Sequence, residues 1–142
     1  DKFNIKESFI LIWGDNLAAY NFKEMIGVHQ ENNSFLTMAL TEREDVENFG
    51  VASLEKQKIV GFVEKPTRDK APSKLINAGA FIINPEILNI LPKGVSSIEK
   101  DCFEKIVEQG KVFSFQHNGY WFPTDTIEKY ELAKKEFEKI IF

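Results

Sequence analysis

Asp15 and Asp125 are the two residues of this 142-residue chain whose setting first suggests chemistry. Asp15 follows the apolar run Phe9-Ile10-Leu11-Ile12-Trp13 and Gly14, the kind of strand end beside which an open α/β sheet places its ligand crevice. Asp125 stands in the aromatic loop Gly119-Tyr120-Trp121-Phe122-Pro123-Thr124-Asp125-Thr126, just ahead of a helical pattern. Two Asp side chains from distant segments suit one Mg²⁺ ion, which takes few protein carboxylates and completes its shell with phosphate oxygens. Each also has a plain structural reading. Asp15 can simply close a turn, and Asp125, with Glu128 three residues on, has the spacing of a helix N-cap with a reciprocal partner.

Glu64-Lys65-Pro66 ends a stretch with β character. A Lys held at a strand end can neutralise a phosphate, and the adjacent Glu can accept hydrogen bonds from sugar hydroxyls. Taken alone, Lys65 reads as a solvated charge. In Asn77-Ala78-Gly79 the Asn amide suits a hydroxyl, whereas the Gly suits close packing. His29 falls on the apolar side of a helical pattern and reads as a packed core residue, and Cys102, without a basic partner, reads the same way. His117 precedes the turn signal Asn118-Gly119 and is expected to be exposed. The chain has no Ser-His-Asp order, no phosphate-cradling Gly-rich loop and no His cluster at metal-ligand spacing.

These residues need a frame. Residues 9–13 are apolar without a break and read as a central strand buried on both faces. Phe22, Met25, Ile26 and His29 fall at helical spacing. Residues 35–40 read as a strand, and residues 49–54 and 59–63 as a hairpin turning through Glu55-Lys56-Gln57. Residues 78–83 read as a buried strand, followed by Pro85 at a helix start. Ser96 and Glu99 have capping-box spacing ahead of a helix that Gly110 ends. Residues 111–116 alternate as a strand, and a last helix from about Thr126 presents Ile127, Tyr130, Ala133, Phe137 and Ile140 as its buried stripe. Alternating strands and helices, with no repeat or linker, make a single α/β domain over residues 1–142 with a mixed sheet.

Composition sets the outer bounds. Hydrophobic residues at 43% and charged residues at 28% exclude wholesale disorder. Eighteen Lys and Arg against 22 Asp and Glu give a net charge of −4 without a basic stripe, which argues against a nucleic-acid partner. One Cys excludes an internal disulfide framework. No apolar run nears the roughly 18 residues of a membrane span, and the first residues carry no secretory leader pattern, so neither membrane nor export is expected and a cytoplasmic setting is.

Taken in order, the segments resemble the sugar-1-phosphate nucleotidyltransferases, or NDP-sugar pyrophosphorylases. The resemblance rests on Phe9 to Asn16 ending in Gly14-Asp15, on Phe49-Gly50-Val51, and on Phe62-Val63-Glu64-Lys65-Pro66. It extends through Ile76-Asn77-Ala78-Gly79-Ala80-Phe81, Ser97-Ile98-Glu99-Lys100-Asp101 and Gly119-Tyr120-Trp121. It implies a Rossmann-like, mixed and mostly parallel sheet flanked by helices. It implies transfer of a nucleotidyl group from an NTP to a sugar 1-phosphate, with pyrophosphate leaving. By the same resemblance Asp15 and Asp125 hold Mg²⁺, Lys65 grips the sugar phosphate, and Glu64, Asn77, Trp121 and the backbone at Gly50 contact the sugar.

Two departures from the family pattern matter. Its Gly-x-Gly-Thr-Arg loop does not occur here, so the resemblance makes these residues the sugar-binding, C-terminal portion of a catalytic domain, inactive alone. Trp121-Phe122-Pro123-Thr124-Asp125-Thr126 is closer to the Trp-x-Pro-x-Asp-Thr of the cytidylyltransferase branch than to the commoner Trp-x-Asp-x-Gly-Thr. The base, the sugar and any homo-oligomer stay open. A non-catalytic regulatory or scaffold domain and a GT-A glycosyltransferase are the alternatives, the latter disfavoured because Gly14-Asp15-Asn16 is not Asp-x-Asp.

Overall fold

A computed structural model describes residues 5–141. The strands are β1 (Phe9–Ile12), β2 (Asn16–Ala18), β3 (Leu36–Glu42), β4 (Gly50–Glu55), β5 (Lys58–Glu64), β6 (Leu75–Ile83), β7 (Val112–Gln116) and β8 (Trp121–Pro123). The helices are α1 (Phe22–Glu31), α2 (Glu104–Val107) and α3 (Ile127–Ile141), and a π-helical turn, Glu99–Phe103, runs into α2. Six strands form one sheet in the order β1-β6-β3-β7-β5-β4, and a further bridge between Val51 and Ile76 joins β4 back to β6. β2 and β8 make a separate two-stranded ribbon.

The sheet is mixed, as expected. Within the described residues β3 with β7 is the parallel pair, and the other pairings run antiparallel. A parallel neighbour needs a long crossover, and here the segment from β3 to β7 supplies it while β4 and β5 close through a tight turn.

Side chains alternate across the sheet and so build two apolar layers. Leu36, Met38, Leu40, Phe81 and Ile83 pack with Phe103 and Ile106 on one face. Ala39, Ala78, Ala80 and Ile82 pack with Met25 of α1 and with Trp121 on the other. His29 and Cys102 are core residues as expected. The His29 ring bonds Thr37 Oγ1 at 3.0 Å and Ser8 Oγ at 3.2 Å, and burial holds its pKa below the ordinary value.

Several expectations change. Among the described residues β1 pairs with β6 alone, and Ile10 and Ile12 are 43% and 48% exposed. An unbroken apolar run cannot report how many neighbours a strand has. On α3 only Ala133 of the expected stripe is buried; Ile127 is 83% exposed, Tyr130 and Phe137 are also exposed, and the side chain of Ile140 lies outside the described residues. His117 is buried, because its ring packs 4.9 Å from that of Tyr20 and its Nε2–H donates to the Tyr120 carbonyl at 3.0 Å. The capping box sits one residue later than expected: Ser97 Oγ accepts from Lys100 N–H at 3.4 Å, and Asp101 accepts from Ser97 N–H at 2.9 Å.

The register of β3 against β6 breaks between Met38 opposite Phe81 and Leu40 opposite Asn77. β6 therefore carries Ala78, Gly79 and Ala80 across from the single Ala39. The Ala78 carbonyl accepts from the Tyr20 hydroxyl and, at 2.7 Å, from Trp121 Nε1. Gly79 N–H donates to Asn77 Oδ1 at 2.9 Å, and its carbonyl accepts from Trp13 N–H at 2.8 Å. Gly79 has φ +80, and a Cβ there would lie 2.5 Å from Asn16 Nδ2 and 3.0 Å from the Trp13 ring. Gly79→Ala is expected to destabilise the protein by about 1–3 kcal/mol, seen as a lower urea midpoint at an unchanged slope; an unmoved midpoint would show that the bulge has slack.

Candidate active site

The β2–β8 ribbon brings the two Asp residues together. Asn16 pairs with Pro123 and Ala18 with Trp121, so the chain just before β2 lies beside the chain just after β8. Thr124 fastens that end, its N–H and hydroxyl both donating to the Asp15 carbonyl, at 2.7 and 2.9 Å. Asp125 does not cap α3. Thr126 does so, its Oγ1 accepting from Lys129 N–H at 3.2 Å, while both Asp125 oxygens accept from Lys129 Nζ at 2.9 and 3.0 Å. That ammonium holds the Asp125 carboxyl below the ordinary range.

The β4–β5 hairpin supplies the next group. Gly50 stands opposite Glu64, and a Cβ on Gly50 would collide with the Phe62 ring and come within 2.8 Å of Glu64 Oε2. The missing side chain is what leaves the Glu64 carboxylate its place. Lys65 has φ +48, a left-handed conformation that costs a non-glycine residue of order 1–3 kcal/mol. The residue before a proline is normally driven to extended backbone, so Lys65 departs twice from the default. Its N–H is anchored on the Phe49 carbonyl at 3.0 Å, and Pro66 is buried behind it.

Asn77 is 8% exposed and uses its Oδ1 on Gly79 N–H, which leaves its NH₂ as the group that can meet a ligand. Trp121 forms a buried wall, with Phe49 edge-on at 5.6 Å and the Arg43 guanidinium 5.8 Å from its ring centre. Arg43 is itself held by a bidentate pair with Asp45, at 2.8 and 3.0 Å.

All seven residues singled out in the sequence, Asp15, Gly50, Glu64, Lys65, Asn77, Trp121 and Asp125, line one open cleft of about 220 Å³. That is smaller than the roughly 300–1,000 Å³ of a site enclosing a drug-sized ligand. Trp13, Asn16, Asn48, Phe49, Glu99 and Pro123 also line it. Most of these neighbour the motif residues in sequence. Glu99 belongs to the motif segment Ser97 to Asp101 and stands at the start of the π-helical turn.

Burial, reinforced by Glu99, raises the Glu64 carboxyl above its ordinary pKa. Among the described residues Asp15, Glu64, Glu99 and Asp125 share the lining with one ammonium, that of Lys65, while Lys129 pairs with Asp125 from outside it. A phosphate entering such a cleft meets excess negative charge unless a cation comes with it. Asp15 and Asp125 are both exposed and both line this cleft, and carboxylates are the hard oxygen donors that Mg²⁺ takes, so the residue types fit that ion. Among the described residues no helix is long and apolar enough to cross a membrane.

The family model described as Nucleotidyl transferase matches residues 1–140. The chain is similar to a glucose-1-phosphate cytidylyltransferase of Salmonella typhi, 28% identical over 121 residues that make up 85% of this chain and 45% of that protein. It is 34% identical to a mannose-1-phosphate guanyltransferase of Yarrowia lipolytica over 116 residues, 80% of this chain and 31% of that protein. A solved UDP-glucose pyrophosphorylase complexed with UDP-glucose superposes with a TM-score of 0.80 at 25% identity, over 94% of this chain and 57% of that one. The chain spans less than half the length of these two curated relatives.

Two substitutions test the geometry. Gly50→Ala should cost about 1–3 kcal/mol of stability through overpacking against Phe62 and should displace the Glu64 carboxylate, visible as shifted side-chain resonances. Glu64 has a folded pKa raised above the unfolded one, so its contribution to stability is full below the ordinary Glu range and is lost as pH rises through the folded value. Glu64→Gln is therefore expected to melt above the parent at pH 7 and to lose that advantage near pH 4, where the parent carboxyl is protonated.

Proposed function

Because this chain belongs to the nucleotidyl transferase family, we propose that the whole protein joins an NTP to a sugar 1-phosphate, yielding an NDP-sugar and pyrophosphate. The observation that carries the reading is the single cleft into which Asp15, Gly50, Glu64, Lys65, Asn77, Trp121 and Asp125 converge from separate segments. An oxygen of the sugar phosphate forms a bond to the α-phosphorus of the NTP as the bond from that phosphorus to the bridging oxygen breaks. Pyrophosphate leaves with the electron pair. The protein's share is positioning and charge neutralisation.

In this reading the residues described here supply the sugar-phosphate side. Lys65 Nζ neutralises the sugar phosphate as a compact point charge. The Asn77 NH₂ donates to one sugar hydroxyl and the Glu64 carboxylate accepts from another. Gly50 keeps the backbone close, and Trp121 walls the sugar in. Asp15 and Asp125 would hold Mg²⁺, which when bound offsets charge on the phosphate oxygens; Lys129 keeps Asp125 ionised until then. The Trp-x-Pro-x-Asp-Thr pattern supports CTP as the NTP. A cytoplasmic setting belongs to the same proposal.

Lys65→Met in the whole protein tests this most directly, since it keeps the aliphatic stem and removes the ammonium. Melting should stay near that of the parent, while the sugar-1-phosphate KM rises about tenfold or more and the NTP KM holds. Lys65→Arg should recover only part of the loss. Turnover should stop when a chelator removes Mg²⁺, and residues 1–142 alone should release no pyrophosphate. Unchanged kinetics for Lys65→Met would return Lys65 to the role of a solvated charge.

A further inference from the structure

Among the described residues, the outer edge of β5 loses its neighbouring strand almost at once. β7 meets β5 at one register pair, Lys58 with Phe113, next to which Ser114 N–H and Oγ both donate to the Gln57 carbonyl. The functional end of β5 lies six residues further on, at Glu64 and Lys65. In an antiparallel ladder successive N–H groups point to alternate edges. Lys65 N–H turns inward to the Phe49 carbonyl, so Glu64 N–H points outward, toward the edge that no strand covers. A half-buried N–H left without a partner is costly.

Glu104 supplies the partner. Its Oε1 accepts from Glu64 N–H at 3.2 Å. Glu104 opens α2 directly after the π-helical turn Glu99–Phe103. That turn buries Cys102 and Phe103 against the sheet and leaves Glu99 on the cleft. Ser97 steadies it, its hydroxyl donating to Glu99 Oε2 at 2.8 Å. Wide turns of this kind occur often at functional sites. Here it lets one short segment face both the cleft and the back of β5.

We propose that Glu104 is a positioning residue: its carboxylate stands in for the absent strand at the end of β5 and so holds Glu64 and Lys65 in the conformation that faces the cleft. What that conformation binds rests on the sugar-phosphate reading above. Glu104 is not among the residues that line the cleft. It acts by pinning the peptide group between Val63 and Glu64, one residue before the left-handed Lys65, where an unpinned backbone would relax toward the extended conformation that Pro66 favours. A charged acceptor holds an N–H about twice as strongly as a neutral one.

The test compares the whole parent protein with Glu104→Ala and Glu104→Gln, reading amide exchange at Glu64, the KM for each substrate, and melting. Glu104→Ala should speed exchange at Glu64 about tenfold or more and raise the sugar-1-phosphate KM about tenfold, with the NTP KM near the parent value. Glu104→Gln, which keeps an acceptor, should recover most of both. Unchanged exchange in Glu104→Ala overturns the proposal; so does faster exchange without a change in KM, or a Gln variant no better than Ala. If Glu104→Ala does not fold, Glu104→Asp, which keeps the charge but draws the acceptor back by one methylene, carries the same expectation. A parent protein without turnover would overturn the functional reading alone, and exchange at Glu64 would then decide the strand-end role by itself.

Discussion

Where three residues of β6, Ala78 to Ala80, face the single Ala39 of β3, the ladder cannot satisfy every peptide group. These residues are buried, and buried backbone donors and acceptors must find partners. Tyr20 and Trp121 reach the Ala78 carbonyl, Trp13 reaches the Gly79 carbonyl, and Asn77 satisfies the Gly79 N–H. Each bond draws in the element that carries its donor: Trp13 brings the end of β1, Tyr20 the segment after β2, and Trp121 the strand β8. Asp15 and Asp125 are neighbours of those anchors in sequence. Their meeting in one cleft follows from a bulge that neither of them touches, in keeping with the tendency of bulges to sit beside active sites.

The anchors are chosen so that they do not titrate in the physiological range. Burial first, with the Asp15 charge adding to it, pushes the Tyr20 hydroxyl up to about 12, so it stays a donor. Trp121 has no titration at all. The groups around the cleft differ in this respect. The Asp125 carboxyl is held low by Lys129, and the Glu64 carboxyl is held high by burial and by Glu99. Two carboxylates of one cleft thus have opposite tendencies. The exposed one stays ionised and suits a cation, whereas the half-buried one is costly to ionise and is better suited to hydroxyl groups.

Much of the frame was legible in the residues. The helical spacing of Phe22, Met25, Ile26 and His29 became α1, and the polar tripeptide Glu55-Lys56-Gln57 between apolar runs became the β4–β5 turn. Local signals failed where the outcome depended on a distant partner. The apolar spacing on α3 marks a face, of which Ala133 alone is buried among the described residues. His117 looked like a turn residue until Tyr20 packed on it, although the two are far apart in sequence. The ribbon of β2 and β8 has no local signal, because three-residue strands carry no readable alternation.

By itself the sequence determined the residue types that make the cleft, their order, the glycines that leave room at positions 50 and 79, and the family to which the chain belongs. These are local facts, since a motif records which side chain stands next to which. Only the tertiary structure decided that seven such positions share one cleft, that Asp125 pairs with Lys129 while Thr126 caps α3, and that Glu104 takes the N–H of Glu64. The physical reason is that hydrogen-bond demand is settled across the whole fold. A peptide group left over by a bulge or by a departing strand takes whichever donor or acceptor the packing brings within reach, and sequence spacing does not encode that distance.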